Sequence, residues 1–204
     1  MQLTRWEYLS TGETLARLRQ VRLRGFGAPL VYARSTLSLE QAVPADSLVP
    51  AQRYVLKANL DRVLMLARLF AQERINIFAL EGVLLFWLDQ DGLVEGPTPI
   101  APPVVEESHE ANGRVVWLIN DGMHRVTVAL RIGVPINILL VRAVPTEWPY
   151  YALPLPGGWA DVEDLDRLPT DYRKKTYRRP GDKKALFRDF NAVFPGIQKK
   201  REAS

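Results

Sequence analysis

The chain has 204 residues, 47% of them hydrophobic and 25% charged, with a formal net charge of +4 and no cysteine. That length and apolar content suffice for one substantial core and exclude a disordered chain, and the lack of cysteine excludes thiol chemistry. No apolar stretch approaches the roughly 20 residues that span a bilayer, and Met1 to Glu7 lacks the apolar core of a signal peptide, so a cytoplasmic protein without a membrane partner is expected.

In chain order, Thr11 to Arg24 has the spacing of an amphipathic helix, with Leu15, Leu18 and Val21 inward and Arg17, Arg19, Arg22 and Arg24 forming a basic cluster. A long helix is expected from about Arg53 to Gln72, where Tyr54, Leu56, Leu60, Val63, Leu64, Ala67 and Phe70 recur at helical spacing. Gly82 to Leu88 reads as a strand closed by the turn signal Asp89-Gln90-Asp91-Gly92, its apolar surface requiring cover from the main core or a second subunit. Pro97, Pro99, Pro102 and Pro103 mark a stiff, extended connection from Glu95 to Pro103.

Next come a hairpin turn signal at Asn112-Gly113 and a strand at Arg114 to Ile119, rich in β-branched and aromatic residues. Asn120-Asp121-Gly122-Met123-His124-Arg125 follows, where Asp121 suits a helix N-cap and Gly122 a sharp turn. A short helix from Met123 is ended by Gly133 and Pro135. A helix N-terminus delivered by a strand is a natural anion site, and cations at His124 and Arg125 are easiest to explain if phosphate or a carboxylate sits there.

Beyond the core, Pro145, Pro149, Pro154, Pro156 and Gly157-Gly158 are interspersed with Trp148, Tyr150, Tyr151 and Trp159. This composition suits either a lid or aromatic pins that hold an irregular segment on the sheet. Residues 171 to 201 hold 11 Lys and Arg against three Asp, so the basicity belongs to the C-terminal part. Lys174, Lys175, Arg178 and Arg179 lie among Tyr172, Tyr177 and Phe187 and could track a nucleic-acid backbone or form a solvated helical face. Ala185 to Phe194 has helical spacing up to Pro195-Gly196. Leu186, Phe190 and Val193 are expected to dock, with Lys184 and Arg188 turned towards an anion.

At Asp121-Gly122-Met123-His124-Arg125 the sequence resembles the ParB/sulfiredoxin superfamily, most closely the Asp-Gly-x-His-Arg form of the ParB-like free serine kinases. Pro102 to Glu106 looks like the family's incoming strand, Val134 to Val141 like the strand after the motif helix, and Leu48-Val49-Pro50-Ala51-Gln52 before the long helix like its first strand-end and loop, so the resemblance covers about residues 43 to 143. It implies an α+β (mixed α/β) fold, a small sheet with a helix after the motif strand, flanked by helical extensions. The organisation expected is an N-terminal extension 1–42, a core 43–143 with an insertion 75–98, and a Pro/aromatic and basic extension 144–204. Gly122, Met123, His124 and Arg125 would hold nucleotide phosphates, of ATP or CTP, with catalytic roles for Asp121 and His124 and magnesium on Asp121.

Two positions depart from the family pattern. Met123 stands where sulfiredoxins need cysteine, and Gln52 stands where the kinases carry a glutamate base. An amide is no general base near neutral pH, which leaves Asp46, Glu81, Glu106 and Asp121 as candidate carboxylates. Read structurally, Asp121 caps a helix, Arg125 pairs with Glu106, and His124 donates to a carbonyl. With only His109 and His124 and no cysteine, a protein-built zinc centre is not expected, and no Walker or Gly-x-Ser-x-Gly segment is present. Three functions fit: an ATP-dependent phosphotransferase or NTPase with a small-molecule acceptor, a ParB-like protein that meets nucleic acid through its basic C-terminal segment, and a catalytically idle interaction protein.

Overall fold

A computed structural model describes residues 2–194. Its centre is a four-stranded sheet in the order β2-β8-β6-β7, formed by β2 (Thr36–Val43), β6 (Val104–His109), β7 (Val115–Ile119) and β8 (Ile136–Arg142). β6 and β8 are parallel, and the outer pairs are antiparallel. β6 and β7 form the expected hairpin, with Gly113 at φ +80° and its N–H on the Glu110 carbonyl. The fold is mixed α+β.

Both faces of this sheet are covered, which explains the nearly unbroken apolar run of β8. Ile136, Ile138 and Leu140, with Val105 of β6, enter a core shared with α2 (Lys57–Gln72) and α3 (Met123–Ile132). Leu139 and Val141, with Val104, face the opposite way onto Leu18, Val21, Leu23, Tyr32 and Leu186. The N-terminal segment and the C-terminal tail therefore form the second covering layer.

α2 begins at Lys57, later than its apolar spacing suggests, because Tyr54–Leu56 form β3 and pair in parallel with β9 (Glu163–Leu165). The N-terminal helix, α1 (Thr11–Leu18), is also shorter than expected. Ser10 and Glu13 cap it reciprocally, and beyond Leu18 the chain folds back so that the Val31 N–H donates to the Val21 carbonyl and the Leu23 N–H to the Pro29 carbonyl. Of the four arginines read as one helical cluster, only Arg17 lies in α1.

The apolar segment after Gly82 becomes β4 (Leu84–Gln90), the middle strand of an antiparallel meander with β1 (Gln2–Tyr8) and β5 (Leu93–Ile100). Leu84 and Phe86 enter the main core, so the cover comes from within the chain. β5 replaces the expected stiff connector, and its prolines are tolerated because it is an edge strand. No helix among the described residues is long and apolar enough to cross a membrane.

The tail departs furthest from expectation. Instead of a helix over Ala185 to Phe194, it forms one 3₁₀ turn at Phe190–Ala192. Its backbone pairs with the N-terminal segment: Arg24 and Asp189 donate to the carbonyls of Phe187 and Arg22, and Gly25 to that of Ala185. Leu186 is fully buried and Phe190 and Val193 pack beside it, as their spacing suggests. Pro195-Gly196 lies outside the described residues.

Candidate functional site

The β7–α3 junction is fixed by backbone bonds. The N–H groups of Asn120 and Asp121 both reach the Val104 carbonyl, at 2.8 and 3.2 Å, which stops β7 beside the start of β6. Gly122 then turns the chain at φ +86° and is itself the N-cap residue. A Cβ there would stand 2.8 Å from Pro103 Cβ, so both the backbone angle and the close approach require glycine. Asp121 makes no side-chain cap, contrary to its sequence reading. Gly133 ends α3 at φ +69°, as expected.

A cavity of about 1360 Å³ opens over this junction. Asp121, Gly122, Met123, His124 and Arg125 line it on one side and Gln52 on another. Lys174, Lys175, Lys184 and Arg188 reach it from the tail, Arg24 from the N-terminal segment and Arg62 from α2. The two basic clusters legible in the sequence thus meet, through Arg24 and the tail. Asp121 and Asp189 are the acidic residues among the lining groups.

The cations differ in their setting. Arg24, Arg62, Lys174 and Lys184 are exposed, whereas Arg125, Lys175 and Arg188 are buried. Arg125 donates to the Ala101 carbonyl, and burial pushes its guanidinium down to about 10 against the opposing charge of Asp121. It does not pair with Glu106. That carboxylate receives Arg188 instead, with Nε 2.8 Å from Oε1 and Nη2 3.1 Å from Oε2. Burial alone would lower the Arg188 pKa, but the charges of Glu106 and Tyr32 and their hydrogen bonds raise it.

Glu106 Oε1 also accepts from the Tyr32 hydroxyl and the Asn120 amide. Since the Asn120 Nδ2 donates to Glu106 and Tyr32, its orientation is set, and its buried Oδ1 has no partner among the described residues. His124 Nε2 accepts from the Leu56 N–H at 3.3 Å, so the expected donation to a carbonyl is not what holds this nitrogen. It also lies 3.4 Å from Asn59 Nδ2. Accepting there places the ring proton on Nδ1.

Met123 is buried in the main core, so its backbone, not its thioether, belongs to the junction. Arg178 and Arg179 do not line the cavity: Arg178 pairs with Glu110, and Arg179 donates to the Glu147 carbonyl at 3.1 Å. The four tail cations therefore do not form one face. The aromatic segment combines both of its readings. Trp159 Nε1 pins it to the Leu48 carbonyl, while Tyr150 and Tyr151 line the cavity.

Of the carboxylates considered, Asp121 lines the cavity, Glu106 is held by Arg188, and Asp46 and Glu81 lie elsewhere. Arg62 carries no local sequence signal, since an arginine on a polar helix face is ordinary. No group of three or more metal-binding side chains occurs among the described residues.

The small sheet and its glycine-turned strand-to-helix junction lie in the part of the chain that carries a ParB-like domain. The family model of the ParB CE domain matches residues 13–163, and the chain belongs to that family. The match covers the junction and ends before Lys174 to Arg188, the tail residues that border the cavity. No curated protein matches the chain.

Proposed function

We propose that the chain binds a nucleotide, ATP or CTP, in the cytoplasm, with its phosphates over the N-terminus of α3. The carrying observation is the cavity at that terminus, bordered by the exposed Arg24, Arg62, Lys174 and Lys184. The lysines and arginines around the positive end of this helix outnumber Asp121 and Asp189, so an anionic occupant gives the arrangement its physical sense. Gly122 allows the backbone to approach, the start of α3 presents the Met123 N–H, and Asp121 holds magnesium that arrives with the nucleotide.

Phosphoryl transfer requires mainly positioning and charge neutralisation, which such a site supplies. The activity proposed is that of an ATP-dependent phosphotransferase acting on a small hydroxyl compound, or of an NTPase. A nucleic-acid role for the tail has less support, because Lys175 is buried and Arg178 is paired with Glu110. An interaction protein of the same fold has no need of the cation-lined cavity.

The test is a calorimetric titration with ATP, CTP, GTP and ADP, with and without magnesium, on the wild type and on Arg62→Gln/Lys174→Gln. Saturable binding weakened at least about tenfold in the variant, equivalent to about 1.4 kcal/mol, is expected with an unchanged melting temperature. Absence of binding to every nucleotide overturns the reading.

A further inference from the structure

Lys175 is the one buried lysine among the described residues. Its Nζ lies 2.5 Å from Tyr150 Oη and 2.7 Å from Tyr151 Oη, with the ring centroids 5.0 and 4.6 Å away. Its backbone forms an antiparallel bridge with Gln52, so the two residues stand opposite each other on the cavity wall. Gln52 cannot take a proton, and its amide is already donated to the Tyr54 carbonyl. Neither of the amine's hydrogen-bond partners is a carboxylate.

These surroundings favour an uncharged amine. Burial contributes most, the adjacent Lys174 adds to it, and the charge of Asp121 opposes both without prevailing, leaving the amine pushed down to about 7. Arg188, over the Tyr150 ring, is a further cation on that side. Burial raises Tyr150 well above its ordinary range, so its hydroxyl keeps its proton and accepts from the amine, as the Tyr151 hydroxyl does, which leaves the lone pair of a neutral nitrogen to a substrate proton. A desolvated lysine beside a second cation is a recurrent way of holding a reactive amine. The His124 Nε2, by contrast, is engaged with the Leu56 N–H.

We propose that Lys175 is the general base of the cavity, removing the proton from a hydroxyl acceptor as that oxygen attacks the terminal phosphorus of a bound nucleoside triphosphate. This rests on the nucleotide reading above and supplies the base that Gln52 cannot be. The acceptor O–H bond breaks and an N–H bond forms on Lys175, giving an ammonium. The acceptor oxygen bonds to phosphorus, and the bond to the bridging oxygen breaks with its electron pair departing on the nucleoside diphosphate. The ammonium then returns its proton to solvent by way of Tyr151, which is only partly buried.

The test combines competitive acetylation by acetic anhydride across pH, read at Lys175 by mass spectrometry, with ATP binding and ATP consumption by the wild type, Lys175→Met and Lys175→Arg. Water, glycerol and serine are offered as acceptors. Acetylation of Lys175 with a midpoint near 7, well below the ordinary lysine value of 10.5, is expected. Both variants should bind ATP yet lose turnover by about 100-fold or more. A midpoint in the ordinary lysine range, unchanged turnover in Lys175→Arg, or a wild type that binds ATP without consuming it overturns the base assignment. A midpoint near 7 in a protein that binds no nucleotide shows instead that the nucleotide reading has failed, and the base assignment falls with it.

Discussion

The Arg188 guanidinium meets the Glu106 carboxylate in an ion pair that is almost wholly buried, 1% and 3% exposed at the side chains, between residues 82 positions apart. Remaining guanidinium protons go to the carbonyls of Trp148, Pro149 and Leu186. Glu106 in turn binds Tyr32 and Asn120, so one carboxylate ties the tail, the N-terminal segment and the β7–α3 junction together. Removing one member of such a pair leaves a buried charge uncompensated. Arg188→Ala is expected to lose about 3–5 kcal/mol in urea denaturation. Adding Glu106→Gln should destabilise by less than the sum of the single changes. Strict additivity would show that the pair is not coupled.

Gly122 offers a sharper test of the junction. Gly122→Ala introduces a side chain at φ +86° with its Cβ against Pro103, on the strand-entry segment of β6. The expected loss is about 1–3 kcal/mol from backbone strain. ATP affinity should fall as well, because relief of the contact moves the start of α3 away from the cavity. Gly133→Ala, also at positive φ but with open space around it, should destabilise without changing affinity. Equal effects on affinity would separate the α3 terminus from the site.

What could be read beforehand follows from where the determining interactions lie. β7 and α3 carry their own signals, in a β-branched run, a glycine turn and a Gly-Pro stop, and the structure places both as read, while β8 falls where the family resemblance puts the strand after the motif helix. β1 escaped because almost every side chain is exposed, including Trp6 and Tyr8, so neither burial nor alternation marks it. β3 was absorbed into α2 because its apolar residues fit the helical spacing and its partner β9 lies more than 100 residues away. The tail misled for the same reason: local spacing suggested a helix with free cations, whereas Arg188 is fixed by Glu106 and Lys175 by two tyrosines. Tertiary partners overrode a weak local pattern.

Arg178 and Arg179 are adjacent in sequence and should behave differently. Arg178 makes two contacts to Glu110, at 2.8 and 3.1 Å, and a third to Ser108. Burial tends to raise the Glu110 pKa, but the bonds from Arg178 and Ser108 and the charges of Arg178 and Arg114 hold it below the ordinary value of 4.5. The carboxylate therefore adds stability that is present above the unfolded value and is lost as pH falls through the folded one. Arg178→Gln is expected to lose about 1–2 kcal/mol at pH 7 and to flatten this acid-side decline. Arg179→Gln, which gives up one bond to the exposed Glu147 carbonyl, should change stability by less than about 0.5 kcal/mol. Parallel urea denaturation at pH 7 and pH 3.5 separates the two.

Lys175 makes the opposite contribution to the pH profile. Above the ordinary lysine value of 10.5 the amine is neutral in both folded and unfolded chains, and it imposes no protonation penalty. As pH falls below 10.5 the unfolded chain takes up a proton that the folded chain refuses until about 7, so the unfolded state gains throughout that window and the penalty levels off below it. Lys175→Met keeps an apolar chain of similar length under Tyr150 and Tyr151 and removes the titration. It should therefore be more stable than the wild type at pH 6.5, by on the order of 2 kcal/mol once the lost phenol contacts are allowed for, with the advantage shrinking towards pH 9.5. Urea denaturation of both proteins at the two pH values measures this difference. An identical gap at both would mean that the amine titrates as it does in the unfolded chain, and the case for an uncharged Lys175 beside the cavity would be lost.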